Sequence, residues 1–278
     1  MFRSRYPHKK YILMNKLSGH FFQICPLFQQ QLEACGADYF DYYLMHAQNA
    51  DEFERFKQRR AYETAFELKK EGKIRHVGIS FHDCADILEK ILTEYPQIEV
   101  VQIQFNDLDY DDPAVQSRKC REICRKLGKP VLIMEPVKGV HLVNLPDSAK
   151  RVLDDLHDGS YAIRFAADFP GVMMLLSGMS DPDQMRDNLN FMQDFKPLDE
   201  AERAAIEKVQ AIYHSMNLIP CTACRYCTEV CPKHISIPDL FALLNAKQIY
   251  HDWNADYYYG AVHISEGGKA SDCLGCGK

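Results

Sequence analysis

Glu71-Gly-Lys-Ile-Arg-His-Val-Gly-Ile-Ser80 is the stretch on which the fold turns. Gly72 stops a long helical pattern, a short run rich in apolar residues follows, and that run finishes on a polar side chain with His82 just beyond. A glycine that closes a helix shortly before a strand is the usual punctuation of alternating helices and strands. The same grammar recurs at Gly128 and Gly171. Working outward, six apolar, β-branched or aromatic runs read as strands: Tyr11–Asn15, Tyr39–Met45, His76–Ser80, Val100–Phe105, Val131–Met134 and Val172–Leu176. Between and after them, helical spacing covers Asp51–Glu71, Asp83–Leu92, Pro113–Leu127, Ser148–Leu156, Tyr161–Phe169 and Gln184–Phe195. The strands alternate poorly, as strands covered on both faces do.

Strand then helix, repeated, makes a parallel sheet with right-handed crossovers. Two architectures compete, an open doubly wound sheet and a (β/α)8 barrel. The strand ends favour the barrel. Asn15-Lys16, His46, Ser80 with His82, Glu135 and Ser177-Gly178 all fall where strands finish, and Gln102, Gln104 and Asn106 share one face of the fourth. A barrel gathers such groups round one mouth. An open sheet concentrates them at a Gly-rich switch point, and the chain contains neither GxGxxG nor GxxxxGK[ST]. Eight strand–helix units typically need about 250 residues, so a six-unit body is about two units short of a closed barrel.

The chain has 278 residues and a net charge of −6. That balance argues against nucleic-acid binding through bulk charge. No apolar run is long enough to span a membrane. The basic opening, Arg3, Arg5, His8, Lys9 and Lys10, lacks the apolar stretch of a secretory signal, so the expected location is cytoplasmic.

Eleven cysteines are unevenly spread. Cys120 and Cys124, four apart on a helix, read as packing residues. After residue 220 the run Cys221-x2-Cys224-x2-Cys227-x3-Cys231-Pro232 has the bacterial ferredoxin spacing for [4Fe–4S] clusters. Zinc is the alternative, since CxxC pairs also bind it. Cys273-x2-Cys276 begins a second run. In a two-cluster arrangement Cys221, Cys224 and Cys227 serve one cluster, while Cys231, Cys273 and Cys276 serve the other. A single cluster on the first four cysteines is the other option. The expected organisation is a barrel over 1–198, a connecting helix over 199–216 and a small helical ferredoxin-type domain over 217–278.

The motifs Tyr11-Ile-Leu-Met-Asn-Lys16, Asp38-Tyr-Phe-Asp-Tyr-Tyr-Leu-Met-His46, Glu71 to Ser80, Val100-Val-Gln-Ile-Gln-Phe-Asn106 and Leu176-Ser-Gly-Met-Ser-Asp-Pro-Asp-Gln184 with Asn188 follow one another in register. Together they resemble the aldo/keto reductase family, and with the cysteine tail its ferredoxin-fused subgroup. The resemblance implies NADP(H)-dependent reduction of a small carbonyl compound in a (β/α)8 barrel. Lys16 matches the lysine that tunes the catalytic tyrosine, and His46 the histidine that orients the carbonyl. Ser80 and Gln102 match the holders of the nicotinamide carboxamide, while Ser180, Gln184 and Asn188 match the adenosine end.

Against that pattern the chain starts at the family's third strand, so the catalytic Asp and Tyr are expected to be missing, together with the last cluster ligands. Phe81 stands for the usual Asn, and Met134 where many members stack an aromatic ring. A weakly active or inactive fragment with exposed sheet edges is therefore expected. Two functions remain open at this point. One is an iron–sulfur oxidoreductase acting on a carbonyl or alcohol, with a small-molecule substrate or an electron-transfer protein as partner. The other is a non-catalytic iron–sulfur electron carrier or scaffold built on a degenerate barrel.

Overall fold

The computed structural model describes residues 11–18, 24–112, 115–138, 142–153, 160–216, 218–221, 224–250, 254–260, 264 and 267–277. The basic opening, Arg3 to Lys10, lies outside them. Two compact units divide the chain: Met1–Val137 with Ala162–Leu198, and Lys138–Tyr161 with Asp199–Lys278.

The first unit is built on six parallel strands in sequential order: β1 (Met14–Leu17), β2 (Phe40–Gln48), β3 (Ile74–Phe81), β4 (Val100–Gln104), β5 (Val131–Met134) and β6 (Val172–Leu175). Helices α1 (Ile24–Cys35), α2 (Ala50–Gln58), α3 (Ala61–Lys70), α4 (Ala85–Glu94) and α5 (Ser117–Lys126) make the crossovers in its first part. After α6 (Asp147–Leu153), the helices α7 (Ser160–Ala167) and α8 (Pro182–Gln193) bracket β6. Gly72, Gly128 and Gly171 hold φ of 77°, 66° and 90°, the left-handed backbone a helix stop needs.

The sheet curls. Leu44 of β2, Val100 of β4 and Leu132 of β5 form one buried cluster, against which Met14 of β1 and Met174 of β6 both pack. Residues from the first and last strands thus meet the same apolar core, which is a barrel-like arrangement. Among the described residues β1 and β6 each pair with a single neighbour. At the centre lies Gly78, where an added Cβ would sit 2.5 Å from Val100 Cγ1, 2.5 Å from Val100 O and 2.6 Å from Leu44 Cδ2.

Two carboxylates peg the N-terminal ends of the strands. Asp41 accepts the Leu13 amide at 2.9 Å and pairs with Arg75 at 2.8 Å, tying together the chains that form β1, β2 and β3. Glu99 accepts the Val77 amide at 3.1 Å and meets His76 at 3.3 Å and Lys69.

Three sequence expectations change. The single helix over Asp51–Glu71 is two helices, broken at Arg60, which takes a left-handed φ of 54°. Phe53, Phe56 and Tyr62 are fully buried, Phe66 is half-buried, and Tyr95 stacks on Tyr62 at 4.3 Å. Helix α1, absent from the reading, buries Ile24, Phe28 and Leu32, and Phe28 meets Phe40 and Tyr43 edge-on. Finally the aromatic run Tyr257-Tyr258-Tyr259 does not bury as a block: Tyr257 and Tyr258 are 62% and 48% exposed.

The second unit holds α6, α9 (Glu200–Ser215), α10 (Tyr226–Glu229), α11 (Ile237–Tyr250) and α12 (Asn254–Tyr258). A reciprocal capping box between Asp199 and Glu202 starts α9, satisfying two otherwise orphaned backbone donors. Among the described residues no helix is long and apolar enough to cross a membrane.

Candidate functional site

Register decides which strand residues share the inner face, because side chains alternate with a period of two. Lys16 pairs with Leu44, Leu44 with Gly78, Ser80 with Gln102, and Gln102 with Leu132. Leu44 and Leu132 face the core cluster, so Lys16, Ser80 and Gln102 face inward as well. His46, two residues past Leu44, follows on the same side. These four side chains lie toward the C-terminal ends of adjacent strands, above the apolar floor made by Leu44, Gly78, Val100 and Leu132.

Lys16 and Ser80 are held by neighbouring segments. Gln31 of α1 donates to the Lys16 carbonyl at 3.0 Å and accepts from the Tyr43 hydroxyl at 2.6 Å, which fixes the end of β1. The β2 ladder slips between Met45 and Gln48, where Ala47 has a φ of 54° and its amide donates to Ser80 Oγ at 2.8 Å. The slipped residue Gln48 is buried and receives the Tyr62 hydroxyl at 2.5 Å. The next backbone bond, His82 N–H to Gln48 O at 2.9 Å, sets His82 at the end of β3 beside this turn.

Burial pushes the Lys16 ammonium below its ordinary range. Burial, and then the Lys16 charge, does the same to His46. Burial, followed by His46 and Lys16, lowers His82 to about 4. The three basic groups therefore sense one another in a single corner. At neutral pH the His82 imidazole is uncharged.

A linkage consequence follows for His82. Its folded value lies below the unfolded 6.5, so the unfolded chain binds the extra proton on acidification. This contribution is complete above pH 6.5 and disappears as pH falls to about 4, a loss of ~3 kcal/mol. Urea midpoints measured across that window should fall, and His82→Leu should flatten the slope. An unchanged slope would place the imidazole in solvent.

The amides of β4 separate into two kinds. Gln104 and Asn106 both donate to Asp109 Oδ2, at 2.6 and 2.7 Å, and Asn106 also donates to the Glu135 carbonyl, so they form a closed structural network. Gln102 differs. Its nitrogen donates to Met134 Sδ at 3.0 Å, while its buried carbonyl oxygen has no hydrogen-bond partner among the described residues. A buried, unmatched acceptor costs roughly 1–3 kcal/mol.

Ser180 lies in the loop after β6, Gln184 in the first turn of α8 and Asn188 at its middle. Gln184 accepts the Ser180 amide at 2.7 Å, and Asn188 donates to Ser177 Oγ at 3.0 Å. Asp181 caps α8 by accepting from the amides of Asp183 and Gln184. Ser180 and Gln184 are exposed.

In the second unit the cysteine loops are linked through Gly268. Its amide donates to His234 O at 3.2 Å, and a Cβ there would sit 2.2 Å from Lys233 O. Ile235 N–H points at Cys231 Sγ (3.4 Å) and Gly275 N–H at Cys273 Sγ (3.5 Å). Burial raises the Cys227 thiol, with further increments from Cys224 and Cys221. Among the described residues, however, no three His, Cys, Asp or Glu side chains converge closely enough to hold a metal ion. Cys273 also borders an apolar cavity of about 540 Å³ formed with Ile235, Leu240, Phe241 and Leu244.

The profile of the Aldo/keto reductase family matches residues 14–159, more than half of the chain. The chain belongs to the aldo/keto reductase family. Among solved structures it is similar to the holo form of aldo-keto reductase AKR11C1 from Bacillus halodurans, at 22% identity over 73% of each chain and a TM-score of 0.57. An aldo/keto reductase from Brucella melitensis shares 19% identity over 74% of this chain and 76% of its own, with a TM-score of 0.57. One from Klebsiella pneumoniae, solved in complex with NADP and acetate, shares 16% over 74% and 72%, with a TM-score of 0.55. At these identities the likeness speaks for the fold. No curated protein matches the chain.

Within this reductase fold, Lys16, His46, Ser80 and Gln102 come together on one face, and Ser180, Gln184 and Asn188 form a separate surface set. Cys120 and Cys124 pack in the core, burial raising both thiols to about 12. Sequence reasoning passed over His82 as a site residue. The available signal was its place two residues after Ser80, at a strand end already marked as part of the mouth.

Proposed function

We propose that this aldo/keto reductase is an NADP(H)-linked oxidoreductase of small carbonyl compounds whose C-terminal cysteines carry iron–sulfur clusters. The observation that carries the first half is the unpartnered Gln102 oxygen beside buried Ser80, on the same face as Lys16 and His46. A carboxamide NH2 is the donor such an acceptor lacks, and Ser80 keeps its O–H to donate while its oxygen is engaged by Ala47. Bound NADPH supplies a hydride. Lys16 and His46 orient the carbonyl and stabilise the negative charge that grows on its oxygen, and the Lys16 ammonium, made more acidic by burial, gives that oxygen its proton and is reprotonated from solvent. Ser180, Gln184 and Asn188 hold the adenosine end. The apolar floor beneath the corner keeps water from below the reacting carbon.

The experiment is NADPH binding followed by nicotinamide fluorescence, with wild type and Gln102→Leu compared. Leucine removes both the acceptor and its donor, so the variant should bind at least tenfold more weakly, about 1.4 kcal/mol. Equal binding would detach Gln102 from the cofactor.

For the cysteines, thiolate chemistry and the spacing support iron over zinc. Cys221, Cys224 and Cys227 would hold one cluster, and Cys231, Cys273 and Cys276 would serve a second. The amide-to-sulfur contacts at Cys231 and Cys273 are of the type that tunes such clusters. Anaerobic reconstitution with iron and sulfide should give a brown protein with equal iron and sulfide contents. Gly268→Val, which forces a side chain onto the Lys233 carbonyl, should lower that content while leaving the secondary structure of the first unit intact. Zinc uptake with no sulfide retained would overturn the assignment.

A further inference from the structure

The second unit encloses a cavity of molecular size that shares no residue with the reductase mouth. Ile235, Leu240 and Ala255 are its buried walls, Phe241 and Leu244 of α11 extend the apolar lining, and Tyr259 stands at its edge. We infer that this cavity binds one small, uncharged apolar molecule bearing a carbonyl oxygen, to which the Tyr259 hydroxyl donates a hydrogen bond.

Size, charge and one directed donor lead to that class. The volume, about 540 Å³, falls within the roughly 300–1,000 Å³ typical of small-molecule sites. Ordered water needs two to four polar partners, which aliphatic and aromatic walls do not supply, so the space suits an apolar body. The charged side chains of the lining are Lys247 and Asp256, and they cancel: Lys247 Nζ donates to both Asp256 carboxylate oxygens, at 2.7 and 2.8 Å, across α11 and α12. A ligand with net charge would therefore be desolvated against no counter-charge. Tyr259 supplies the direction. Its hydroxyl oxygen accepts the Ala270 amide at 3.3 Å, which leaves its own proton to donate, and no acceptor for that proton stands among the described residues. A carbonyl oxygen brought into an apolar site needs such a donor, since an unmatched acceptor there is costly. Cys273, proposed above as a cluster ligand, contributes only part of the lining. Neither a cluster nor NADPH is needed for this binding.

The test uses benzophenone, a compact apolar ketone, and diphenylmethane, the same frame with a methylene in place of the carbonyl, on the whole chain under anaerobic conditions. Equilibrium dialysis gives both affinities. Tyr259→Phe should weaken benzophenone roughly fivefold, the scale of one hydrogen bond, and leave diphenylmethane unchanged. Leu240→Trp, which fills the cavity, should abolish the binding of both. Circular dichroism checks that the tryptophan variant folds, and the Tyr259→Phe comparison decides alone if it does not. Benzophenone also reports its own position. On irradiation its excited carbonyl takes a hydrogen atom from a neighbouring C–H group, and the two radicals so formed join as a tertiary alcohol. Mass spectrometry should find that adduct on α11 between Leu240 and Leu244. Adducts scattered over the surface, or a Tyr259→Phe variant that loses both probes equally or neither, would overturn the inference. So would a chain that sediments as a dimer and takes no adduct on α11, because a second copy then covers these walls.

Discussion

Gly78→Val is expected to prevent the first unit from folding, and Gly78→Ala to cost it several kcal/mol. A single methyl at this position would lie 2.5 Å from both Val100 Cγ1 and Val100 O, and 2.6 Å from Leu44 Cδ2. The side chains have little room to yield, since Leu44 and Val100 are already core. The carbonyl belongs to β4 and cannot yield without breaking the sheet. Overpacking a dense core typically costs about 1–3 kcal/mol. Contact with backbone puts alanine at or above the top of that range, against a net stability of about 5–15 kcal/mol for a domain. Valine adds two further methyl groups to the same space. Circular dichroism and urea denaturation would show this directly. An alanine variant that melts together with the wild type would mean that β3 and β4 do not approach as closely as described.

The second large effect falls on chemistry. Whatever reduction of a small carbonyl substrate the chain sustains, Lys16→Met should lower it by about a hundredfold or more, the scale on which a positioned proton-transfer or charge-stabilising group acts. NADPH affinity should change only a few-fold, because Ser80 and Gln102, the residues proposed to hold the carboxamide, lie on other strands. Stability should hold or rise slightly, since Lys16 is an ammonium lowered by burial and methionine removes its desolvation cost. The rate of hydride transfer under single-turnover conditions is the measurement to make. A loss confined to NADPH binding would move Lys16 from the reacting carbonyl to the cofactor.

How much of this could be read in advance varied from element to element. The parallel sheet was legible because its strands are continuous apolar runs ended by glycine-closed helices, and all six strands begin and end within three residues of where the runs fall. The break at Arg60 was not legible: Gln58-Arg59-Arg60 contains no glycine or proline, and the left-handed residue is an arginine that only the packed aromatic layer imposes. Helix α1 was hidden because its buried positions, Ile24, Phe28 and Leu32, are separated by glutamines and interrupted by Pro26. In the site, Lys16, His46, Ser80 and Gln102 were marked through the resemblance to the reductase family, and the strand register places them on one face. The distinction between Gln102 and its neighbours was invisible, since it depends on Asp109 folding back to satisfy Gln104 and Asn106. His82 could have been included from its place two residues after Ser80, whereas its backbone bond to Gln48 depends on the slip at Ala47, which no pattern of hydrophobicity encodes.

The two carboxylate pegs, Asp41 and Glu99, fasten the strands at the end away from the mouth. Side chains at the rim contribute little to that fastening. Variation can therefore explore new rims while inheriting an unaltered base, and what the protein recognises can drift without endangering whether it folds. The same separation sorts damaging changes into two families: those at the base remove the molecule from the cell, and those at the rim leave a folded molecule with a different appetite.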